Sequence, residues 1–199
     1  DKYEVTVGLY GDCVGTGHCS VPDTGGYCNW GVSGREDHPV NCITWYQAGE
    51  YCAWVGKRLC SESEWEKASR GTDGRKYPWG NADATCEYAV LDDGGYGCGT
   101  ESTWPVGSKP SGASPYGAMD MSGNVWEWVE DDWHYYSGAP TNGSAWVEDP
   151  RASYRVLRGG GFYPAGYYYN LRSSARLYGV YDGSDGVIGA FGARCCKSK

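Results

Sequence analysis

The sequence predicts a loop-rich α+β domain with two main helices that is stabilised by disulfides. Helical patterns occur only between residues 44 and 71, and the rest of the chain alternates short apolar runs with Gly-rich segments. Ten cysteines in 199 residues form no CxxC pair and are accompanied by only three histidines. Disulfides therefore fit the cysteines better than a zinc site does. No repeat or linker divides 1–199, so we expect one domain.

The composition excludes several classes of partner. A net charge of −8 and a pI of about 4.8 argue against nucleic acid or an anionic membrane as the main partner, because phosphate binding needs clustered cations. No apolar run approaches the roughly 20 residues of a membrane span. Disulfides imply an oxidising compartment or a thermophilic source, and we expect an extracellular protein or one on a cell or virion surface. The abrupt start at Asp1 is expected for a mature or trimmed form.

The elements follow from local patterns. Residues 1–10 alternate polar and apolar side chains, which predicts a strand, and 11–38 read as loop. A capping box at Thr44 and Gln47 predicts a helix that Gly56 ends, and a second box at Ser61 and Glu64 predicts a helix near 62–70 that ends at Gly71. Short strands are predicted at STWPVGS, GNVWEWVED, YRVLRGGGF, LRSSARL and ARCC.

Eight segments in order carry a family resemblance: YEVTVGLY, HPVNCITWYQAGEYCAWVGKRL, SESEWEKASRG, YPWGN, SGNVWEW, RVLRGGGF, LRSSAR and GARCC. Together they resemble the formylglycine-generating-enzyme (sulfatase-modifying factor) family across essentially the whole chain. The resemblance implies a C-type-lectin-like fold of the formylglycine-generating-enzyme type. That fold has little regular secondary structure, in agreement with the long loops predicted above.

The oxidase activity of that family is not expected here. The resemblance implies copper held by two cysteines, five residues apart, shortly after the RGG motif, and thiolates suit Cu(I) because both are soft. Pro164 and either Tyr168 or Tyr169 stand at those positions. Neither residue type can be a soft ligand, and Cys195 lies too far along the chain.

Other catalytic arrangements are also weak. His134 with Asp131 or Asp132 lacks a nucleophile elbow, and we expect His134 to pack against aromatic residues or lie on the surface. RGGG lacks the remainder of a phosphate-loop pattern, so a tight turn is the better interpretation. Nothing marks the Asp pairs, including 92–93, as a general acid and base. The sequence therefore favours a protein that is not an enzyme.

The resemblance also implies a calcium site and two disulfides. Asp120 and Glu127 would supply carboxylate oxygens to Ca²⁺, and Gly123 and Val125 backbone carbonyls. The alternative is that Glu127 merely caps backbone donors while the tryptophans of GNVWEW pack. Expected disulfide pairs are Cys52–Cys195, Cys86–Cys98 and one pair within Cys13, Cys19 and Cys28.

The C-terminal segment has a biased composition. Residues 159–196 contain no Glu, Lys, Gln, Met or Trp, whereas the other 161 residues contain 31 of these types. The variable proteins of diversity-generating retroelements share the fold, and this segment is similar to the one that they rewrite. Substitution at the adenines of AAC or AAT codons yields fifteen amino acids and never those five types. Residues 159–196 are therefore a candidate variable region.

A Tyr-, Gly- and Ser-rich surface is typical of antibody binding sites, because tyrosine offers large contact area with few rotors to freeze. We expect a protein or glycan ligand of unknown identity. The predicted ligand-binding residues, expected on one exposed face, are Tyr163, Gly166, Tyr167, Tyr168, Tyr169, Leu177, Tyr178, Val180, Tyr181, Asp182, Ser184 and Asp185. Residues expected to point into the scaffold are Leu171, Arg172, Arg176 and Arg194. The alternative is a non-variable secreted accessory or lectin-like binding domain, in which the bias reflects packing.

Overall fold

The computed structural model describes residues 1–163, 168–181 and 189–197, with only the backbone described for Tyr168 and Tyr169. The helices are α1 (Val7–Gly15), α2 (Trp45–Trp54), α3 (Glu62–Arg70) and the single turn α4 (Tyr96–Gly99), and 3₁₀ turns span Pro110–Gly112 and Tyr168–Leu171. The strands are β1 (Lys57–Leu59), β2 (Trp126–Asp132), β3 (Tyr154–Arg158), β4 (Leu177–Val180), β5 (Phe191–Ala193) and β6 (Cys195–Lys197).

The predicted strand over residues 1–10 is wrong, because α1 begins at Val7. Thr6 is extended and bridges Pro39, and its side chain then caps the helix by accepting the N–H of Leu9 at 3.2 Å. The alternation therefore holds only up to the cap. Beyond it, Tyr10 and Cys13 bury one face of α1.

Both capping boxes are confirmed. The Thr44 side chain accepts the N–H of Gln47, whose amide oxygen accepts the N–H of Thr44. The Ser61 and Glu64 box opens α3 in the same way, and Gly71 follows its end with a φ of 66°. In each helix two backbone N–H groups that lack helical partners are satisfied locally, so the start of the helix is determined by sequence.

The six strands form two sheets, a mixed sheet of four strands and an antiparallel sheet of two. The larger has the order β4-β3-β2-β5, with β2 and β5 parallel and the other pairs antiparallel, and β4 lies at its edge. The smaller pairs β1 with β6. The predicted strands at 126–132 and 154–158 are present. Residues 102–108 instead form loop, and in the predicted strand at 171–177 only Leu177 is in a strand.

Five disulfides pair all ten cysteines. The structure contains Cys52–Cys195 and Cys86–Cys98, with Cα separations of 5.5 and 5.8 Å. Cys13 pairs with Cys19, which confirms the expected pair within the first three cysteines. The pairs that the sequence left unassigned are Cys28–Cys42 and Cys60–Cys196. The adjacent cysteines of β6 are thus joined to α2 and to the residue after β1.

Candidate functional site

The structure covers part of the predicted ligand-binding surface. Tyr163, Leu177, Tyr178, Val180 and Tyr181 are described with their side chains. Tyr168 and Tyr169 lie in the second 3₁₀ turn. The predicted residues outside the described part of the chain are Gly166, Tyr167, Asp182, Ser184 and Asp185.

Tyr163 packs between two rings from elsewhere in the chain. Its centroid lies 4.8 Å from that of Tyr27 and 4.8 Å from that of Tyr96. Tyr27 is partly exposed, and Tyr163 is half-buried against the main core. The ring of Tyr163 is therefore held by scaffold residues while one side of the cluster still reaches solvent.

Tyr178 belongs to a second group of side chains that pack against one another in sequence. We call this group the aromatic ladder, and its members are Tyr154, Tyr178, Trp133, Arg176 and Tyr136. The Tyr178 ring lies 5.1 Å from Tyr154 and 5.0 Å from Trp133. The guanidinium of Arg176 lies 4.4 Å from the Trp133 ring centre and 4.1 Å from that of Tyr136. Tyr178 is 49% exposed and Tyr136 is 54% exposed, so the ladder presents aromatic surface to solvent.

The described residues do not all share one exposed face. Successive side chains of a strand point to opposite sides of the sheet. Leu177 packs against the main core, and a Cβ on Gly179 would meet the Trp128 ring at 2.6 Å, whereas Tyr178 points away. Tyr181, beyond the strand, packs edge-on against Tyr46 at 5.3 Å. The expectation of a single face is therefore wrong for Leu177.

Three of the four residues expected to point into the scaffold do so. Leu171 and Arg194 are buried, and Arg176 forms a bidentate ion pair with Glu62, at 2.5 and 2.8 Å. Arg172 is exposed, so its expected inward position is wrong. It follows the 3₁₀ turn just before a buried residue, Ser173, and alternation places it outside.

The predicted calcium loop contains a buried ion pair. Both oxygens of Glu127, which has no exposed surface, accept from Arg194 at 2.6 Å, and one also accepts from the Trp65 indole at 2.7 Å. Asp120 accepts the N–H of Gly107 at 2.6 Å. In this arrangement the donor set does not fit a calcium ion, because the Arg194 guanidinium already binds both oxygens of Glu127, the carboxylate that would bind calcium.

Burial shifts the titration of two carboxylates near the Arg194 guanidinium. Burial, reinforced by Asp120 and Glu127, raises the pKa of Glu4 well above its usual range, and burial also raises the pKa of Asp120. Glu4 accepts from the Asn124 amide at 2.6 Å and from the N–H of Val125 at 3.2 Å. These contacts fix the backbone of residues 120–127.

Calcium binding at this loop stays a prediction from the resemblance. A calcium ion bound there would have to displace Arg194 from Glu127. If it does so, we expect millimolar Ca²⁺ to raise the melting temperature by mass action and EDTA to lower it again. Differential scanning calorimetry with Mg²⁺ as the control tests this, and an unchanged melting temperature under all three conditions would contradict the site.

The residues of the other weak motifs have structural partners. Asp132 pairs with Arg155 at 2.7 Å and Arg151 at 3.0 Å, and His134 stacks on Trp146 at 4.3 Å. The RGGG motif forms a tight turn: a Cβ on Gly160, whose φ is 76°, would lie 2.8 Å from the Leu171 side chain. His134 therefore packs against an aromatic residue and RGGG forms a turn, as expected, while Asp132 is a buried ion-pair partner.

A cleft of about 540 Å³ lies between α3 and the loop that follows β2. Sequence reasoning missed it, because its walls come from segments far apart in sequence, and only the fold brings them together. Asp131 lies at the cleft and accepts the N–H groups of Glu62 and Trp146, at 2.7 and 2.8 Å. Burial raises the pKa of Asp131 to about 6 despite these two hydrogen bonds.

Comparison with known proteins identifies relatives along the whole chain. Residues 1–198 match the Sulfatase-modifying factor enzyme 1-like domain. Serine/threonine-protein kinase Pkn1 of Chlamydia trachomatis is 37% identical over 82% of this chain and 25% of that protein. Formylglycine-generating enzyme of Streptomyces coelicolor is 36% identical over 79% of this chain and 53% of that enzyme. Hercynine oxygenase of Mycobacterium tuberculosis is 39% identical over 62% of this chain and 29% of that enzyme. The chain spans a quarter to about half the length of these relatives.

Solved structures share the fold. PvdO from Pseudomonas aeruginosa superposes with a TM-score of 0.79 at 28% identity, over 98% of this chain and 77% of that one. Treponema denticola variable protein 1 superposes with a TM-score of 0.72 at 22% identity, over 98% of this chain and 82% of that one. The U1 variant of Major Tropism Determinant superposes with a TM-score of 0.51 at 19% identity, over 98% of this chain and 48% of that one. The fold is therefore C-type-lectin-like, of the formylglycine-generating-enzyme type.

Proposed function

The chain belongs to the family of sulfatase-modifying factor enzyme 1-like domains, and we propose that this member binds a ligand and is not an oxidase. The observation that carries the proposal is the pairing of all ten cysteines in disulfides, which leaves no free thiol. The copper of the oxidase needs a pair of soft thiolates, and the residues at those positions are proline and tyrosine. The donor set therefore does not fit copper.

The binding surface proposed here is the Tyr-, Gly- and Ser-rich segment 159–196. Its described tyrosines pack against rings of the scaffold in tilted or edge-on arrangements, while Tyr178 remains half exposed. Exposed, rigidly held tyrosines are well suited to bind protein or glycan surfaces, because little rotamer entropy is lost on binding. The similarity in fold to Treponema denticola variable protein 1 is compatible with this proposal. The proposal itself depends on the amino-acid composition of residues 159–196.

The locus of the gene tests whether the segment is diversified. We expect a near-repeat of the codons for 159–196 close to the gene, with adenines at the positions that differ, and a reverse transcriptase gene nearby. If neither is present, the alternative of a non-variable secreted binding or accessory domain replaces the variable one. The five disulfides are compatible with an extracellular or surface location, and no helix in the described residues is long and apolar enough to cross a membrane.

Replacement of Tyr178 distinguishes a binding surface from a packing role. We expect Tyr178→Ala to lower the free energy of unfolding by at most about 1 kcal/mol, because the ring is half exposed. Leu157→Ala is the matched control on the neighbouring strand, and its fully buried side chain should cost about 2–5 kcal/mol. Urea unfolding measures both. Equal losses would mean that packing explains the tyrosine bias.

A second candidate function is an enzyme of the hercynine oxygenase type, which the 39% identity to that relative favours. The described residues contain no group of three or more His, Cys, Asp or Glu side chains placed to hold a metal ion. Oxygen uptake in the presence of hercynine distinguishes the two candidates. Turnover would replace the binding proposal, whereas its absence with added iron or copper would support it.

A further inference from the structure

The cleft beside α3 is a site separate from the surface proposed above. None of the described residues of 159–196 lines it, and its volume of about 540 Å³ lies within the ~300–1,000 Å³ of small-molecule sites. We infer that this cleft binds a short saccharide that carries a carboxylate. The inference is independent of whether the C-terminal segment is diversified.

Two aromatic rings line the cleft and are held from outside it. Trp146 stacks on His134 at 4.3 Å with an interplanar angle of 22°. Tyr136 is stacked on Arg176, and its hydroxyl donates to Glu62 at 3.0 Å. Because each ring is fixed by a partner that does not depend on a ligand, both are ready to pack against the apolar C–H face of a sugar.

Two of the three carboxylates that line the cleft are paired with arginines. Glu62 pairs with Arg158 at 3.0 Å and Arg176 at 2.5 Å. Glu66 pairs with Arg158 and Arg70, both at 2.7 Å. Glu62 and Glu66 therefore offer little free negative charge to an amine or a metal cation.

Lys67 is the uncompensated charge of the cleft. It lies on α3 beside these pairs, and no carboxylate of the described residues is within salt-bridge distance of its ammonium group. Asp131 accepts two backbone N–H groups, which partly offset its negative charge. A ligand with one anionic group would therefore complement Lys67, and a carboxylate is such a group.

The remaining lining is suited to hydroxyl groups. Ser63, Thr72 and Ser144 surround the aromatic rings, and hydroxyls both donate and accept. A nucleotide would bring several phosphate charges for one free lysine, and a fatty acid would leave the hydroxyls without partners. A sugar acid supplies ring faces, hydroxyls and a single carboxylate together.

Calorimetric titration of the intact protein tests the inference. The probes are sialyllactose and galacturonic acid, each with one carboxylate, and the matched uncharged controls are lactose and galactose. We expect at least one acidic probe to bind, and both uncharged sugars to bind at least about tenfold more weakly. Lack of binding by both acidic probes at millimolar concentration, or equal binding of acidic and uncharged sugars, would overturn the inference.

Three variants locate the binding. Lys67→Met and Trp146→Ala should each weaken the acidic saccharide by about tenfold or more. Tyr116→Ala removes an exposed ring outside the cleft lining and should change nothing. Lys67 lies on the surface of α3, so its variant should fold even if Trp146→Ala does not. Unaltered affinity in Lys67→Met would overturn the inference.

Discussion

Replacing Cys52, Cys60, Cys195 and Cys196 together by Ala is expected to lower the free energy of unfolding by about 7 kcal/mol. The two disulfides close loops of 143 and 136 residues, and such closure removes conformational entropy from the unfolded chain. A loss of this size is comparable to the whole stability of many domains, about 5–15 kcal/mol. We therefore expect the fourfold variant to be largely unfolded at 37 °C, as measured by circular dichroism.

The single replacements should cost much less, because the two bridges run side by side. With Cys60–Cys196 intact, Cys52–Cys195 closes an additional ring of only about ten residues, so its removal alone should cost about 3 kcal/mol. The short Cys13–Cys19 bridge, with a separation of 6, is the control and should cost about 2 kcal/mol. A loss near 5 kcal/mol on removing Cys52–Cys195 alone would show that the bridges act independently.

Breaking the buried pair of Glu127 and Arg194 is expected to cost about 3–5 kcal/mol. Arg194→Met leaves the Glu127 carboxylate without its counter-charge, close to Glu4 and Asp120. Urea unfolding at neutral pH measures the loss. The surface pair of Arg75 and Asp73 is the control, and Arg75→Met should lower the free energy of unfolding far less, because solvent screens an exposed ion pair.

The double replacement Glu127→Leu, Arg194→Met tests the physical reason. Removing both charges also removes the unpaired carboxylate, so we expect the double variant to be more stable than Arg194→Met alone. If the double variant is the less stable of the two, the loss comes from packing and hydrogen bonds, such as that from Trp65, and not from an uncompensated charge.

Local signals account for the parts of the fold that were predicted. The boxes at Thr44 and Ser61 define helix starts through contacts three residues apart, so sequence alone suffices for them. The strand predicted over residues 1–10 is wrong because a two-residue alternation cannot distinguish an extended lead-in from a strand, and Thr6 ends the lead-in by capping α1. The family resemblance, not the spacing, is what indicated Cys52–Cys195.

The candidate sites needed the fold. Tyr178 and Leu177 are adjacent in sequence and point to opposite sides of the edge strand, which composition cannot reveal. The cleft depends on Trp146 meeting α3 across about eighty residues of chain, held by Asp131 between them. Long-range contacts of this kind have no local signature, so neither the separation of the rings nor the free charge of Lys67 could be anticipated.

The adjacent cysteines of β6 also determine what a cut in the preceding segment would do. β3 is fixed in the sheet before the segment, and Cys195 and Cys196 are bonded to Cys52 and Cys60 after it. A protease that cleaves one peptide bond between 159 and 194 would leave both pieces in one covalent molecule. The nicked protein would separate into two fragments only after reduction, so the part of the chain that follows the cut stays attached as long as the two disulfides are intact.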